Sequence, residues 1–475
     1  MTASGAADQR GRPTEPGEAV VLAAGTQPEP EPAVADAPGQ PRGSRPPRLP
    51  RVREFTRESL FKNSAYLLVN LVMGACCGYG ALILLTRLYS VQAVGLSATA
   101  LSASALVVFS MQFGVNYSLP RYLPNSAHRA ALINTALTVI TLCTVLAAIV
   151  FLALPSADKL FALGGWIFAV VFVAGAAFQA AESVLGIVLI ADRSSGKVVR
   201  ANLLPNAVKL GAPAAFVAIG SLGAYLARII NDAVATVILA VTLGRRGHRF
   251  RPALSITATR ELSRFSFGMY VANLVGGLPQ MLLPIIVLSR FGAHQAAYWS
   301  IAITIAYLVY QLDGTVAQAL IPEVASRPAE RRHLLARAAV MIVAVMLPAL
   351  ILAYVLAPFG LKLFGPSYVA GSLVPLHILI IAGFITILNY VTGSILVLAK
   401  KTSAITTVNI FNAIIVLGLT AVWATGARDV AIAWAVGDVE NTLLLGFFAA
   451  MALRAVRGRW ELLGEEPAPA PEATS

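Results

Sequence analysis

The chain has 475 residues, of which 57% are hydrophobic and only 12% charged, and its net charge is +13. Soluble domains contain about 25% charged residues, so this composition excludes an ordinary soluble protein. The positive charge does not indicate a nucleic-acid partner, because Lys and Arg gather in short segments beside long apolar stretches. Many of these stretches can cross about 30 Å of hydrocarbon as helices of about 20 residues. The sequence therefore predicts an all-α polytopic membrane protein.

Twelve transmembrane helices in two parallel six-helix bundles are predicted between polar ends. Residues 1–57 are rich in Pro, Ala, Gly and Glu and are predicted to form a disordered cytoplasmic arm. The N-terminal bundle is placed at 58–243, a basic cytoplasmic linker at 244–264, the C-terminal bundle at 265–455 and a cytoplasmic tail at 456–475. The predicted spans are 64–86, 93–117, 130–154, 163–190, 198–219, 222–243, 266–289, 296–320, 334–357, 372–398, 403–425 and 429–453.

An internal repeat relates the two halves of the chain. Residues 57–97 and 260–300 share 12 identities over 41 positions at a constant offset of 203 residues. The matches include Asn, Arg, Gln and Gly, which a merely apolar composition does not readily align. Six helices in each copy give both copies the same orientation in the membrane. We therefore expect two bundles related by an axis along the membrane normal, as in transporters with parallel repeats.

Basic residues are distributed unequally between the two predicted faces. The face that carries both termini has 25 Lys and Arg residues near the spans, and the opposite face has only five. Since cytoplasmic loops carry the excess of positive charge, both termini are expected in the cytoplasm and the protein in the plasma (inner) membrane. The five residues of the sparse face are Arg87, Lys159, Arg290, Lys362 and Arg428.

Arg87 and Arg290 occupy matching positions in the repeat, at the ends of predicted helices 1 and 7. One interpretation is that both side chains extend to the lipid headgroups. The other is a pair of cations that face each other across the axis, where their forked guanidinium groups suit a phosphate.

Helix 5 contains an unusual lysine within an apolar span. Asn202, Asn206 and Lys209 lie at positions i, i+4 and i+7 and hence on one helix face. An ionisable group in hydrocarbon requires a partner or a wet cavity, so a cavity-lining role is favoured over a structural ion pair. Glu182 of helix 4 is a candidate partner of Lys209, and Arg228 and Asp232 of helix 6 are spaced to neutralise each other locally.

The second half contributes a polar and aromatic stripe suited to a sugar path, which includes Tyr307, Tyr310 and Asp313 of helix 8. Asp313 is the candidate proton or cation carboxylate of this half. Asn70 and Asn273 lie at equivalent depths in helices 1 and 7, and an interhelical hydrogen bond is the alternative role for both.

Catalytic and cofactor motifs are not recognised in the sequence. It lacks a phosphate-binding Gly-Lys-Ser/Thr loop, a Gly-x-Ser-x-Gly elbow and a His/Cys metal spacing. We therefore expect no enzyme activity, no cofactor and no metal site.

Five segments form an ordered set along the chain: Phe61–Ser64, Leu85–Tyr89 with Gly95, Leu262–Tyr270, Ile321–Glu323 and Leu363–Tyr368. Together they resemble the polysaccharide-biosynthesis flippases of the MOP superfamily, which are MATE-like. The resemblance spans about residues 55–455. It differs from some relatives in that residues 64–86 hold no carboxylate, so it does not define a coupling ion.

The resemblance implies a flippase that moves a lipid-linked oligosaccharide of the undecaprenyl-pyrophosphate type by alternating access. On this hypothesis Arg87, Arg290 and Lys209 hold the pyrophosphate, while Asn70, Asn273, Tyr307 and Tyr310 contact sugars. Asp313 and Glu182 are the candidates for a coupling ion. The expected partners are the lipid-linked glycan, membrane lipids and the glycosyltransferases or polymerase of the pathway, with the protein itself a monomer.

Three alternatives remain open on the sequence. A cation-coupled multidrug exporter of the same superfamily would need a carboxylate-lined cavity. A membrane glycan ligase or polymerase would need a large extracytoplasmic loop. An inactive scaffold for the synthesis complex is the third.

Overall fold

The computed structural model describes residues 52–126, 128–192, 195–326, 331–398 and 401–463. Most of the predicted N-terminal arm and the end of the predicted tail lie outside these residues. Within them the regular structure is helical and contains no strand. The helices are α1 (Val52–Leu88), α2 (Val91–Ser110), α3 (Val115–Tyr122), α4 (Arg129–Leu152), α5 (Gly165–Ala191), α6 (Ser195–Ala215), α7 (Ser221–Gly244), α8 (Ile256–Phe291), α9 (Ala293–Ser326), α10 (Arg331–Phe364), α11 (Pro366–Leu398), α12 (Thr402–Val422) and α13 (Ala427–Leu463).

The long helices have the length and composition of membrane spans. In the described part of the chain, nine helical segments are long and apolar enough to cross a bilayer, and Val72–Leu88 is a shorter apolar segment. Large apolar side chains such as Val422 and Leu443 are exposed on the helix surfaces, as is expected where a helix faces lipid. The protein is therefore a helical multi-pass membrane protein, and the exact number of twelve crossings stays a prediction.

Several helices continue beyond their predicted spans. α1 begins at Val52 rather than near residue 64, and α8 begins at Ile256, inside the segment predicted as linker. α13 continues to Leu463. The apolar pattern defines only the part of a helix that lies in hydrocarbon, so it does not detect polar turns that extend the same helix into water.

Predicted helix 2 is broken. α2 ends at Ser110 and α3 begins at Val115, with positive φ angles at Phe113 (44°) and Gly114 (77°) between them. Gly accommodates such angles readily, whereas a bulky residue such as Phe rarely adopts them. The sequence prediction of one continuous helix from 93 to 117 was wrong here, because the apolar pattern runs through the break.

The repeat is visible in the helix ends. α1 ends one residue after Arg87, and α8 ends one residue after Arg290. In each half the next long helix begins within three residues of that end. We call α1–α7 the N-terminal half and α8–α13 the C-terminal half, and we call the side of the molecule on which α1, α8 and α10 end the Arg87 face.

The two halves contact each other mainly through α2, which packs against α8 and α9. Gly95 permits this contact, since a Cβ atom at this position would lie 1.9 Å from the carbonyl oxygen of Ala293. The Thr99 hydroxyl donates a hydrogen bond to the Pro284 carbonyl oxygen at 3.3 Å. These contacts place α2 of the N-terminal half directly against the first two helices of the C-terminal half.

Candidate functional site

A cavity of about 840 Å³ lies between helices of the N-terminal half and is bordered by α9 of the C-terminal half. α1, α6 and α7 contribute most of its wall. Its polar lining residues in the described part of the chain are Asn70, Tyr79, Gln179, Lys209, Arg228, Asn231, Asp232 and Thr304. Ligand sites typically combine an apolar wall with a few convergent polar groups, and this cavity has that character.

Three charged side chains line this cavity, Lys209 of α6 and Arg228 and Asp232 of α7. Glu182 of α5 interacts with Asp232 and Lys209, and we call the four residues the charge cluster. The Lys209 ammonium group interacts electrostatically with all three of the others. The carboxyl groups of Glu182 and Asp232 are also close enough to interact with each other. Charges inside a membrane protein are retained where they pair or line a wet path, and the cluster meets both conditions.

Lys209 reaches from α6 across to α1. Its Nζ atom would lie 3.4 Å from a Cβ atom placed on Gly78, so the absence of a side chain at Gly78 leaves room for the ammonium group. The sequence placed Lys209 in a cavity with Glu182 as its partner, and the structure brings both residues together. It adds Arg228 and Asp232, which the sequence treated as a separate local pair.

Amide side chains extend the polar lining. Asn202 of α6 donates a hydrogen bond from Nδ2 to Oδ1 of Asn70 on α1 at 2.8 Å, and Asn231 donates to Asp232 at 3.3 Å. Gln179 of α5 accepts a hydrogen bond from the Ser104 hydroxyl at 3.0 Å. Amides can both donate and accept hydrogen bonds, which is what the hydroxyl groups of a sugar require.

Arg87 and Arg290 lie on different helix ends. Arg87 donates from Nε to the Leu363 carbonyl oxygen at 2.8 Å and from Nη2 to that of Lys362, both in the last turn of α10. Arg290 donates to the Thr420 carbonyl oxygen near the end of α12 at 3.3 Å. Neither arginine is among the described residues that line the cavity. Their predicted contact with phosphate stays a prediction.

The other predicted residues of the second half lie outside the described cavity lining. Tyr307 packs against the rings of Tyr310 and Trp434, with ring centroids 5.7 and 6.2 Å apart. The Tyr310 hydroxyl donates to the Leu379 carbonyl oxygen, and Asn273 is exposed on α8. The side chain of Asp313 lies outside the described residues.

A second polar group of residues lies between α11 and α13. The Thr386 hydroxyl donates to the Asp438 carboxylate at 3.5 Å, and the Thr442 hydroxyl donates to Oδ1 of Asn389 at 2.6 Å. Each bond joins a residue of α11 to a residue of α13, a pairing that sequence spacing alone does not reveal.

The linker after α7 is packed against α4 and α5. The His248 ring nitrogen Nε2 lies 3.0 Å from Oδ1 of Asn134, and Asn134 donates to the Arg249 carbonyl oxygen at 3.0 Å. Asp192 pairs with Arg246 at 3.0 Å and also with Arg129. Burial, together with the nearby Arg129, lowers the pKa of His248 below its ordinary value of 6.5. The neutral ring is therefore the form that the packed linker favours.

Solved structures with a similar fold are MATE-type transporters. An inward-facing MATE family transporter of the MOP superfamily matches with a TM-score of 0.64 at 15% identity, over 79% of this chain and 96% of that one. An outward-facing one matches with 0.54 at 15% identity over 84% and 96%. A MOP superfamily transporter from Pyrococcus furiosus matches with 0.54 at 14% identity over 84% and 96%. A comparison with proteins of curated function gives no match.

The described helices have the fold of MATE transporters. Residues 84–369, more than half of the chain, match the model of the family described as polysaccharide biosynthesis protein. The chain belongs to this family. The resemblance noted in the sequence is thereby confirmed.

Proposed function

We propose that this protein moves a lipid-linked oligosaccharide or polysaccharide precursor, of the undecaprenyl-pyrophosphate type, across the plasma membrane. The head group enters the cavity from the cytoplasmic side while the lipid tail stays in the bilayer. The observation that carries the proposal is the placement of two cations, Lys209 and Arg228, beside the same cavity. Membership in a polysaccharide biosynthesis family supports a glycan as the cargo.

The cations of the charge cluster suit a pyrophosphate. Lys209 supplies a compact positive charge, and Arg228 supplies a planar fork that can donate two hydrogen bonds to one phosphate. In the described state Glu182 and Asp232 occupy the neighbourhood of these cations. An arriving pyrophosphate replaces the carboxylates as the counter-charge of Lys209 and Arg228.

The same arrangement supplies a coupling site. When the pyrophosphate binds, Glu182 and Asp232 lose part of their attraction to the two cations. A proton or a cation then compensates the carboxylates, which links its movement to that of the substrate. Glu182 is the residue that we assign to this role in the N-terminal half, and Asp313 remains the candidate of the C-terminal half.

Amide groups of the cavity are assigned to the sugars. Asn70, Gln179 and Asn231 line the same cavity as the cations, so a sugar attached to the pyrophosphate lies within their reach. Three residues of the predicted sugar path lie outside the described lining of the cavity: Asn273, Tyr307 and Tyr310. They can contact the same sugar only if the two halves rearrange.

Transport by alternating access requires the two halves to move against each other. Solved transporters of this fold are described in both inward-facing and outward-facing conformations, which supports such a movement. The excess of basic residues on the face that carries the termini supports the assignment of that face to the cytoplasm. The Arg87 face is then the outer face.

A multidrug exporter is the second candidate, and the likeness of the fold to multidrug MATE transporters is the observation that favours it. The Asp232 carboxylate lines the same cavity as Lys209 and Arg228. A cationic drug would pair with this carboxylate, whereas a pyrophosphate would pair with the two cations. The two functions therefore predict opposite substrate charges.

Deletion of the gene tests the proposed function directly. A flippase leaves the covalent structure of the glycan unchanged, so its loss causes a complete lipid-linked glycan to accumulate on the cytoplasmic side. A ligase or polymerase would instead leave shorter or unattached glycans. Normal export together with loss of resistance to cationic drugs would contradict the proposal and favour the exporter.

A further inference from the structure

Two basic residues of the Arg87 face, Arg87 and Lys159, contact the ends of helices in the C-terminal half. The Arg87 guanidinium group donates to the carbonyl oxygens of Lys362 and Leu363, in the last turn of α10. The Lys159 ammonium group donates to Ser289 at 2.6 Å and to Leu288 at 3.3 Å, near the end of α8. Both donors belong to the N-terminal half, and all four acceptors belong to the C-terminal half.

These acceptors suit a cation for a general reason. The last four carbonyl groups of a helix have no partner within the helix, and they form the negative end of the helix dipole. α10 ends at Phe364 and α8 at Phe291, so each cation meets a helix end. The Leu288 carbonyl oxygen also accepts the Gly292 N–H at 3.2 Å. The contacts are local in space but join segments that are 129–276 residues apart in the chain.

The bonds can also be released. Arg87 and Lys159 are both exposed, so water can replace either partner when the ends separate. A fully buried pair would leave an unpaired charge in hydrocarbon, which is far less favourable.

Arg290 provides an internal contrast. It is the repeat equivalent of Arg87 and also contacts a carbonyl near a helix end, but its acceptor, Thr420, belongs to the same half. Of the two arginines that the repeat relates, Arg87 therefore connects the two halves, and Arg290 contacts only its own half.

We propose that Arg87 and Lys159 form a latch that holds the ends of the two halves together at the Arg87 face, and that the four hydrogen bonds of these residues break when the cavity opens on that face. The proposal rests on the alternating-access function proposed above. It assigns to Arg87 a role in the conformational change instead of, or in addition to, contact with the substrate.

The test measures the separation of the halves without any substrate. Cys76, Cys77 and Cys143 are replaced by Ala. Spin labels are placed at A162C, in the 3-10 helix Pro155–Leu163 that contains Lys159, and at S367C just after α10. Pulsed electron paramagnetic resonance on the full chain in lipid nanodiscs then gives the distribution of distances between the labels. With both latch residues present, we expect mainly the short distance.

The double variant R87Q/K159Q should raise the ratio of long to short distances about tenfold, since it removes both cations and the four hydrogen bonds that they donate. R290Q is the matched control and should leave the distribution unchanged. R87K/K159R keeps both charges and should retain most of the short-distance population. An unchanged distribution in a folded, monodisperse R87Q/K159Q variant would overturn the latch.

The result is separable from that of the proposed function. A shifted distribution in a protein that moves no lipid-linked glycan supports the latch and contradicts the proposed substrate. Normal glycan transport with unchanged distances overturns the latch alone.

Discussion

Asn202 of α6 donates a hydrogen bond of 2.8 Å to Asn70 of α1, and this bond joins two helices that form the wall of the cavity. The first prediction concerns its energy. Interhelical hydrogen bonds in membranes contribute about 0.6 kcal/mol on average. We expect N70A and N202A each to lower the free energy of unfolding. The decrease in the double variant should be smaller than the sum of the two single decreases, by about 0.6 kcal/mol.

Thermal unfolding of the four proteins in one detergent measures this coupling energy. If the decrease in the double variant equals the sum of the two single decreases within error, the two amides do not interact. Because Asn70 lines the cavity, transport by N70A should also fall further than its stability alone explains.

The second prediction concerns the contact between α2 and α9. A methyl group at Gly95 would lie 1.9 Å from the Ala293 carbonyl oxygen, so G95A should force the two helices apart and reduce the free energy of unfolding by about 2 kcal/mol. The matched control is G186A in α5, where a Cβ atom would have no neighbour within 4 Å. This control should be neutral or slightly stabilising, since Ala favours helices over Gly. Equal stability of G95A and G186A would refute the close contact.

The third prediction concerns pH and the linker. The pKa of His248 in the packed linker lies below the ordinary value of 6.5, so the released linker binds a proton more tightly than the packed one. Packing of the linker is therefore strongest above pH 6.5 and weakens as the pH falls below that value. Arg129, Arg246 and Asp192 are the charged groups that surround this contact.

A spin label at L254C reports the mobility of the linker, in the background without native cysteines. We expect the label to become more mobile when the pH falls from 7.5 to about 5, since His protonates over this range. H248Q cannot titrate but can still donate to Asn134, and its label should show the same mobility at both pH values. A pH response that persists in H248Q would assign the effect to another group.

The helix ends and the polar face of α6 could be predicted from the sequence. The repeat located Arg87 and Arg290 at the ends of equivalent helices, and helical spacing placed Asn202 and Lys209 on one face. Both inferences depend on local periodicity and internal similarity, which a sequence contains. The break at Phe113 and Gly114 was missed because the apolar residues continue through it.

Contacts between distant segments could not be predicted. Arg87 bonds to Leu363, and Lys159 bonds to Ser289, but no spacing in the chain relates these residues. The acceptors are backbone carbonyl groups, which every residue has. The residue type at the acceptor position therefore gives no indication that a hydrogen bond forms there. Likewise, Arg228 and Asp232 were recognised as a local pair, and only the packing of α5, α6 and α7 adds Lys209 and Glu182 to them.

The central claim is that Lys209 binds the pyrophosphate of a lipid-linked glycan, and flipping in proteoliposomes tests it most directly. The purified protein is reconstituted with a fluorescent lipid-linked glycan, and the fraction that becomes accessible on the far leaflet is followed over time. K209M should reduce the flipping rate at least about tenfold, because a charged hydrogen bond to the phosphate is lost, while K209R should keep part of it. K401M removes an exposed lysine that is not among the residues lining the cavity, and this variant should flip the substrate at the normal rate. A K209M protein that is folded and flips as fast as the unmodified protein would contradict the account.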